Sequence, residues 1–141
     1  MTHDFRIEVR TDPRLLASLR ELVRSWIAPF GLGEETEHGV VLAIDEACSN
    51  AMRHAYQGQW DRHATLLLRS TEDYLEFELS DEGTPCQPER VARRELERPD
   101  PETVTPGGLG VQLIYQVFDE VQFHPGSPCG NRVIMRINRS R

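Results

Sequence analysis

The stretch Val40–Tyr56 constrains the fold most, because its apolar residues recur at spacings of three and four. This spacing predicts an amphipathic helix packed on a core. Glu46 and Asn50 lie four residues apart on it, so their side chains stand one above the other. An amide oxygen suits Mg²⁺, and a carboxylate can hold or activate a hydroxyl. The same pair also fits a solvated helix face, so alone it leaves both interpretations open. The apolar stripe comprises Val40, Val41, Ile44, Cys48, Ala51 and Ala55.

Composition narrows the class of protein. The chain has 141 residues, 38% hydrophobic and 28% charged, which predicts a single globular domain over residues 1–141. A net charge of -7 argues against direct binding of nucleic acid. No apolar run predicts a membrane span or signal peptide. The three cysteines have neither disulfide-framework nor zinc-site spacing, so a cytoplasmic protein is predicted.

Local signals predict the elements of the N-terminal half. Phe5, Ile7 and Val9 alternate with charged residues, as in a half-buried strand. Asp12 and Pro13 suit the cap and first position of a helix that ends near Ala28-Pro29. The helix that carries Glu46 and Asn50 is predicted to begin near Glu34–Thr36, with acids in its first turn, and to reach about Tyr56.

The C-terminal half is predicted to be mostly strands. Ala64–Arg69 and Tyr74–Ser80 are separated by a short polar turn, so they are expected to form an antiparallel hairpin. A helix follows the glycines near residue 107, and two strands, Glu120–His124 and Arg132–Ile137, close the chain around a turn at Pro125–Asn131. The order β α α β β α β β predicts an α+β fold, a two-layer sandwich of a mostly antiparallel sheet with helices on one face.

Two short motifs stand at the ends of these elements. Asp81 and Gly83 follow a strand, which can place a carboxylate at a pocket mouth while the glycine lets a ligand approach the backbone. The run 107–110, Gly-Gly-Leu-Gly, opens a helix, where bare N–H groups and the positive dipole end can face a phosphate. Each motif alone also fits a simpler interpretation, a polar turn for the first and a hinge for the second.

Residues 84–106 form a long connection between the two motifs. Five of the nine prolines fall there. A connection of this length is usually functional or disordered, so both a mobile lid and a plain surface loop fit. All 16 basic residues are arginines, so Arg90, Arg93 and Arg94 are candidates to contact phosphates, although a solvated helix rich in Glu and Arg fits them equally well.

In order and spacing, Glu46-x-x-x-Asn50, Asp81-x-Gly83 and Gly107-Gly108-x-Gly110 resemble the N, G1 and G2 boxes of the GHKL ATPase superfamily, which includes gyrase and the histidine kinases. The string DEACSNAMRHAY and the compact size further resemble the bacterial anti-sigma factor serine/threonine kinases of partner-switching systems. The resemblance extends from about Phe5 to Ile137 and implies the Bergerat fold, with a mobile ATP lid at about 84–106.

The resemblance implies a role for each motif residue. Asn50 would bind Mg²⁺, and Glu46 would be the general base for the attacking hydroxyl. Asp81 would accept a hydrogen bond from the adenine amino group of ATP, and Gly83 would keep that pocket open. The lid hinge and the phosphate-facing amides would come from Gly107, Gly108, Leu109, Gly110 and Val111.

The implied reaction is transfer of the γ-phosphoryl group of ATP to a Ser or Thr of a STAS-domain anti-sigma factor antagonist. The implied partners are that antagonist, a sigma factor and a second copy of the chain in a homodimer. Two alternatives stay open: a non-catalytic ATP-dependent partner-switch protein, and a kinase or ATPase outside sigma control. Retention of Glu46 favours catalysis over binding alone, because a pure binder does not need that carboxylate.

Overall fold

The computed structural model describes residues 2–84, 92, 108–127 and 130–140. Five antiparallel strands form one sheet in the spatial order β1-β2-β3-β5-β4. They are β1 (Phe5–Arg10), β2 (His63–Ser70), β3 (Tyr74–Asp81), β4 (Glu120–Ser127) and β5 (Gly130–Asn138). Within the described residues, the helices α1 (Leu16–Ile27), α2 (Glu34–Asn50) and α3 (Gly108–Val117) share one core with the sheet. The predicted α+β sandwich with helices on one face is confirmed.

Strand β3 shows how the two faces of the sheet differ. Leu75, Phe77 and Leu79 point into the core and are at most 3% exposed. Glu76 lies on the opposite face, where it accepts hydrogen bonds from Arg69 and Arg136. Burial alone would raise the pKa of Glu76, but these hydrogen bonds outweigh it and hold the pKa below its usual value. The face that receives the helices is therefore apolar, and the other carries cross-strand ion pairs.

Helix α1 begins with the cap that the sequence predicts. The Asp12 carboxylate accepts a hydrogen bond from the backbone N–H of Arg14, and Pro13 opens a single 3₁₀ turn, Pro13–Leu15, before the α-helix. Hydrogen bonds from Arg14 also lower the pKa of Asp12 to about 2. The helix ends at Ile27, and a second 3₁₀ turn, Ala28–Phe30, leads to Gly31 at φ +66°. Positive φ favours glycine at this helix end.

Helix α2 forms the centre of the helical layer. It begins at Glu34, with three glutamates in its first turn. The predicted stripe from Val40 to Ala55 is buried throughout. One thiol of this stripe, Cys48, lies in the core, and burial raises its pKa to about 12, so it is unreactive. Cys86 and Cys129 lie outside the described residues.

The end of this helix differs from the prediction of regular helix to Tyr56. The α-helix stops at Asn50, and Ala51–Ala55 form a π-helical turn in which the Tyr56 N–H donates to the Ala51 carbonyl at 3.2 Å. Ala51, Met52, Ala55 and Tyr56 are all buried in this wider turn and at its end. Such turns are frequent at functional sites.

The hairpin β4–β5 is longer than predicted. Pairing continues through a register irregularity between His124 and Ser127, as far as Ser127 opposite Gly130. The predicted turn at Pro125–Asn131 therefore belongs largely to the two strands, except for residues 128–129, which lie outside the described part. The extension places Asn131 directly opposite Asp81 in the β3–β5 ladder.

Helix α3 packs closely on α2. Ile114 is fully buried and Phe118 is 4% exposed. A Cβ on Gly39 of α2 would lie 3.3 Å from Val117 Cγ2, so the glycine allows the close approach of the two helices. Across residues 2–84, 92, 108–127 and 130–140, no helix has the length and apolar character needed to cross a membrane.

Candidate functional site

The first turn of α3 lies against Glu46 of α2. A Cβ built on Gly110 would stand 2.2 Å from Glu46 Oε2 and 2.4 Å from Glu46 Cδ. Only a residue without a side chain fits while the carboxylate keeps this position. Because a helix N-terminus carries a partial positive charge, a carboxylate is well suited to this position. The fold therefore brings the helix that carries Glu46 and Asn50 together with the glycine-rich start of α3.

The Glu46 carboxylate is only partly satisfied. Its Oε2 atom is buried and accepts no hydrogen bond in the described part of the chain. Arg53 Nη2 lies 3.5 Å from that oxygen, close enough for an ion pair but without hydrogen-bond geometry. A buried carboxylate oxygen without a donor is rare in native proteins and requires an explanation. It is suited to accept a proton or a hydrogen bond from an incoming group.

Asn50 shares the same arginine. Arg53 Nη2 donates to Asn50 Oδ1 at 3.1 Å. One guanidinium nitrogen therefore lies beside both the carboxylate and the amide oxygen of the Glu–Asn pair. The two oxygens together already accommodate one positive charge.

At the end of β3, Asp81 is held by its neighbours. Its Oδ1 accepts hydrogen bonds from the Gly83 N–H and from Asn131 Nδ2, each at 2.9 Å. Burial raises the pKa of Asp81, although these hydrogen bonds partly offset the effect. The carboxylate thus has a defined orientation in a mostly buried environment, where an acceptor interacts strongly with a donor.

Gly83 and Thr84 attach the strand end to the π-helical turn. A Cβ on Gly83 would lie 2.3 Å from the carbonyl oxygen of Ala55, so no side chain fits there. The Thr84 N–H donates to the same carbonyl at 2.7 Å. The Asp81–Gly83 segment is therefore fixed against the end of the helix that carries Glu46 and Asn50.

Tyr56 ties the two elements together from the other side. Its hydroxyl donates to the His63 carbonyl at 2.7 Å and accepts from the Glu82 N–H at 2.8 Å. The ring is 8% exposed. The Tyr56 hydroxyl thus links the end of β3 to the start of β2.

Comparison with known proteins agrees with this geometry. Residues 9–137 match the histidine kinase-like ATPase domain family. The chain belongs to this family. A serine-protein kinase RsbW of Listeria innocua is 34% identical over 112 residues, covering 76% of this chain and 71% of the relative. The RsbW of Bacillus pumilus is 25% identical over 144 residues, covering 96% of this chain and 86% of the relative.

A solved structure shares the fold of this histidine kinase-like ATPase domain. It contains the RsbU and RsbW domains of a Mycobacterium tuberculosis protein and superposes with a TM-score of 0.64 at 15% identity. The match covers 94% of this chain and 32% of that chain, so the present chain spans about a third of the neighbour's length.

Within the histidine kinase-like domain, α2 and the π-helical turn that follows it form one wall that meets both Gly110 and Gly83. Gly110 contacts this wall at Glu46 and Gly83 contacts it at Ala55, nine residues later. Nine residues at the α-helical rise of roughly 1.5 Å per residue span about 13 Å, and because part of this stretch is the wider π-helical turn, the two contacts are at most about 13 Å apart along the axis. The wall therefore has two ends, one beside α3 and one beside Asp81.

Some predicted residues are described only in part. Gly108, Leu109 and Val111 belong to the first turn of α3 with Gly110. Gly107 and the lid residues Arg90, Arg93 and Arg94 lie outside the described residues, as does most of the predicted lid at 84–106. Their predicted contacts with phosphate stay predictions.

Sequence reasoning misses two contacts at this site. It predicts Asn131 in a turn, and only the β3–β5 register places this residue opposite Asp81. It also does not predict that Arg53 contacts both Glu46 and Asn50. The spacing of three between Arg53 and Asn50, a neighbouring position on a helix face, is the available signal.

Proposed function

We propose that this chain is an ATP-dependent serine/threonine-protein kinase that transfers the γ-phosphoryl group of ATP to a STAS-type anti-sigma factor antagonist. It would also hold a sigma factor, as an anti-sigma factor, until the unphosphorylated antagonist replaces it. The 34% identity to an RsbW named as a serine-protein kinase supports the reaction class. The observation that carries the proposal is the position of the Glu46 carboxylate. It lies on α2, the helix that also presents Asn50, and it packs against Gly110 of α3.

In this proposal, the strand end binds the base. Asp81 would accept a hydrogen bond from the adenine amino group, which guanine lacks at the corresponding position. Gly83 N–H and Asn131 Nδ2 hold the carboxylate in place through Oδ1. Because Asp81 is 7% exposed, the interaction would be made largely out of water and would contribute strongly to nucleotide choice.

The other end of the wall would bind the phosphates. Backbone N–H groups of the first α3 turn, which contains Gly108, Leu109, Gly110 and Val111, have no intrahelical partner at a helix start and suit an anion. Gly107 and the lid arginines would extend this contact. The separation of these two contacts along the wall supports a nucleotide bound with its base at one end and its phosphates at the other.

The donor set near Asn50 fits Mg²⁺. The Asn50 amide oxygen and a Glu46 oxygen already lie beside one positive charge, the guanidinium of Arg53. Mg²⁺ prefers oxygen ligands and is commonly bound by one or two protein groups together with phosphates and waters. Asn50 would be the protein ligand, and the bound ion would neutralise charge on the phosphate oxygens.

We also propose that two copies of the chain form a homodimer.

Glu46 would orient or deprotonate the attacking hydroxyl. Phosphoryl transfer depends on positioning and charge neutralisation more than on covalent chemistry, so one carboxylate can suffice. The buried Oε2, which accepts no hydrogen bond within the described residues, is available for a substrate O–H. The proton would pass from the Ser or Thr hydroxyl to this carboxylate as the hydroxyl oxygen bonds to the γ-phosphorus, while the bond from that phosphorus to the bridging oxygen breaks and ADP leaves.

The test is transfer from γ-labelled ATP, with Mg²⁺, into the proteins of the native lysate. We expect one small labelled acceptor whose label is stable to acid, as Ser or Thr phosphate is. Labelling of a protein unrelated to sigma control would point to a different kinase role, and phosphate release without an acceptor to a free ATPase. Intact ATP binding without any label would favour a non-catalytic switch protein.

Gly110→Ala is expected to reduce transfer about 10- to 100-fold, because the new Cβ would displace the Glu46 carboxylate. Stability should change little, since the group that must move is the end of a flexible side chain and alanine favours the helix. The measurements are transfer rate and melting temperature. Gly39→Ala is the matched control, because it adds a methyl between α2 and α3 beside Val117 and not beside Glu46. Equal rates in the two variants would contradict the assigned role of the glycine.

A further inference from the structure

Arg53 occupies a central position in the proposed phosphate end of the site. Its Nη2 donates to Asn50 Oδ1 at 3.1 Å and lies 3.5 Å from Glu46 Oε2. Within the described part of the chain, it is the cation placed at ion-pair distance from Glu46. The side chain is 49% exposed, so it also has room to move into solvent.

The contact uses the same atom that a metal ion would need. An amide oxygen that ligates Mg²⁺ directs a lone pair at the ion, and Asn50 Oδ1 now directs one at the guanidinium. A guanidinium is always charged, so it cannot adapt to an incoming cation by losing a proton. Two cations on one oxygen repel each other, which makes the two occupants exclusive.

We propose that Arg53 is a resident cation that stands in for Mg²⁺ between Glu46 and Asn50, and that Mg²⁺ displaces it when the nucleotide binds. This inference rests on the proposed Mg²⁺ site. Arg53 is thus a positioning residue. In the free protein it holds the carboxylate and the amide on one side of the helix.

Displacement has a measurable consequence for the metal. Every Mg²⁺ ion that enters must break the contact of Arg53 with Asn50 and Glu46, so Arg53 raises the Mg²⁺ concentration that nucleotide binding requires. Removing the guanidinium should lower that concentration. Because a partly exposed charge contact contributes little free energy, the required Mg²⁺ concentration should fall by only about two- to fivefold.

The experiment measures the affinity of a non-hydrolysable ATP analogue by calorimetry over a series of Mg²⁺ concentrations. Arg53→Met removes the charge but adds no oxygen ligand, and keeps an unbranched stem. We expect half-maximal enhancement of binding at about two- to fivefold less Mg²⁺ than in the wild type. Arg53→Lys, which keeps a positive charge, should stay closer to the wild type.

Arg24→Met is the matched control. Arg24 is 44% exposed and contacts Glu21 three residues away on α1, as Arg53 contacts Asn50 three residues away. Its removal should leave the Mg²⁺ requirement unchanged. Melting temperatures of all variants, taken without nucleotide, check that each one is folded.

The outcomes separate this inference from the proposed function. If nucleotide binding by the wild type did not depend on Mg²⁺, the proposed metal site itself would be wrong. Mg²⁺-dependent binding with the same requirement in Arg53→Met and wild type would overturn the role of Arg53 alone. A weaker affinity of Arg53→Met at saturating Mg²⁺ would identify Arg53 as a phosphate ligand and also overturn it. A Lys variant shifted as far as the Met variant would show that charge is not the cause.

Discussion

Asp81→Asn is expected to weaken ATP binding about 100-fold or more, while the protein stays folded. An amide is nearly the same size as a carboxylate, and its oxygen can still accept from Gly83 N–H and Asn131 Nδ2. Its NH₂ group would then replace the second carboxylate oxygen, so a donor would face the adenine amino group. The loss of binding free energy would exceed the contribution of the missing hydrogen bond, because a buried donor would also be left unpaired.

The same substitution should leave stability unchanged or raise it. Because burial raises the pKa of Asp81, its charged form is disfavoured in the folded state. A group whose pKa is raised on folding contributes stability at low pH and loses it as pH rises through the folded value. The neutral Asn avoids that loss. At pH 7 the variant should melt no lower than the wild type, and any gain should shrink as pH falls through the raised pKa of Asp81 and be absent below the ordinary Asp pKa of 3.8.

Calorimetry of ATP binding and thermal melting at several pH values test both halves of this prediction. Glu82→Gln is the control, because it removes a neighbouring carboxylate from an exposed residue, whereas Asp81 is buried. Its ATP affinity should match the wild type. An unchanged ATP affinity in Asp81→Asn would contradict the assignment of Asp81 to adenine binding. A large loss of stability would show that Asp81 is chiefly structural.

Local signals are sufficient wherever a residue's sequence neighbours decide its conformation. Asp12 and Pro13 open a helix because a side-chain acceptor and a missing N–H serve the same helix end. The strand Tyr74–Asp81 follows from alternation, and the turn after Ser70 from its polar residues. The Glu46–Asn50 pair is predictable for the same reason, since both residues lie on one helix face.

Contacts between distant residues are not predictable in this way. Asn131 reaches Asp81 only because β5 continues past an irregular register, and no local pattern distinguishes it from a turn asparagine. The π-helical turn after Asn50 depends on how Ala51, Met52, Ala55 and Tyr56 fit the core. The fit of Gly110 to Glu46 likewise needs the packing of α3 on α2, which a glycine-rich motif alone does not specify.

Glu46→Gln is expected to reduce phosphoryl transfer by about 10²- to 10⁴-fold, the range for loss of a general base. Glutamine has the same shape and fills the same space beside Gly110, so the packing of α2 on α3 should persist. It cannot accept a proton from the attacking hydroxyl. ATP affinity should stay within about threefold, because the ion pair between Glu46 and Arg53, which the substitution removes, is partly exposed to solvent.

Single-turnover transfer and ATP calorimetry on the same preparation separate these two effects. Glu37→Gln neutralises another carboxylate of α2, about two and a half turns earlier, and should transfer at the wild-type rate. If Glu46→Gln lost ATP binding as well as transfer, the carboxylate would be part of the binding site, not the base. If it kept full transfer, another group would accept the proton, and the Oε2 beside Gly110, which accepts no hydrogen bond from the described residues, would need a different explanation.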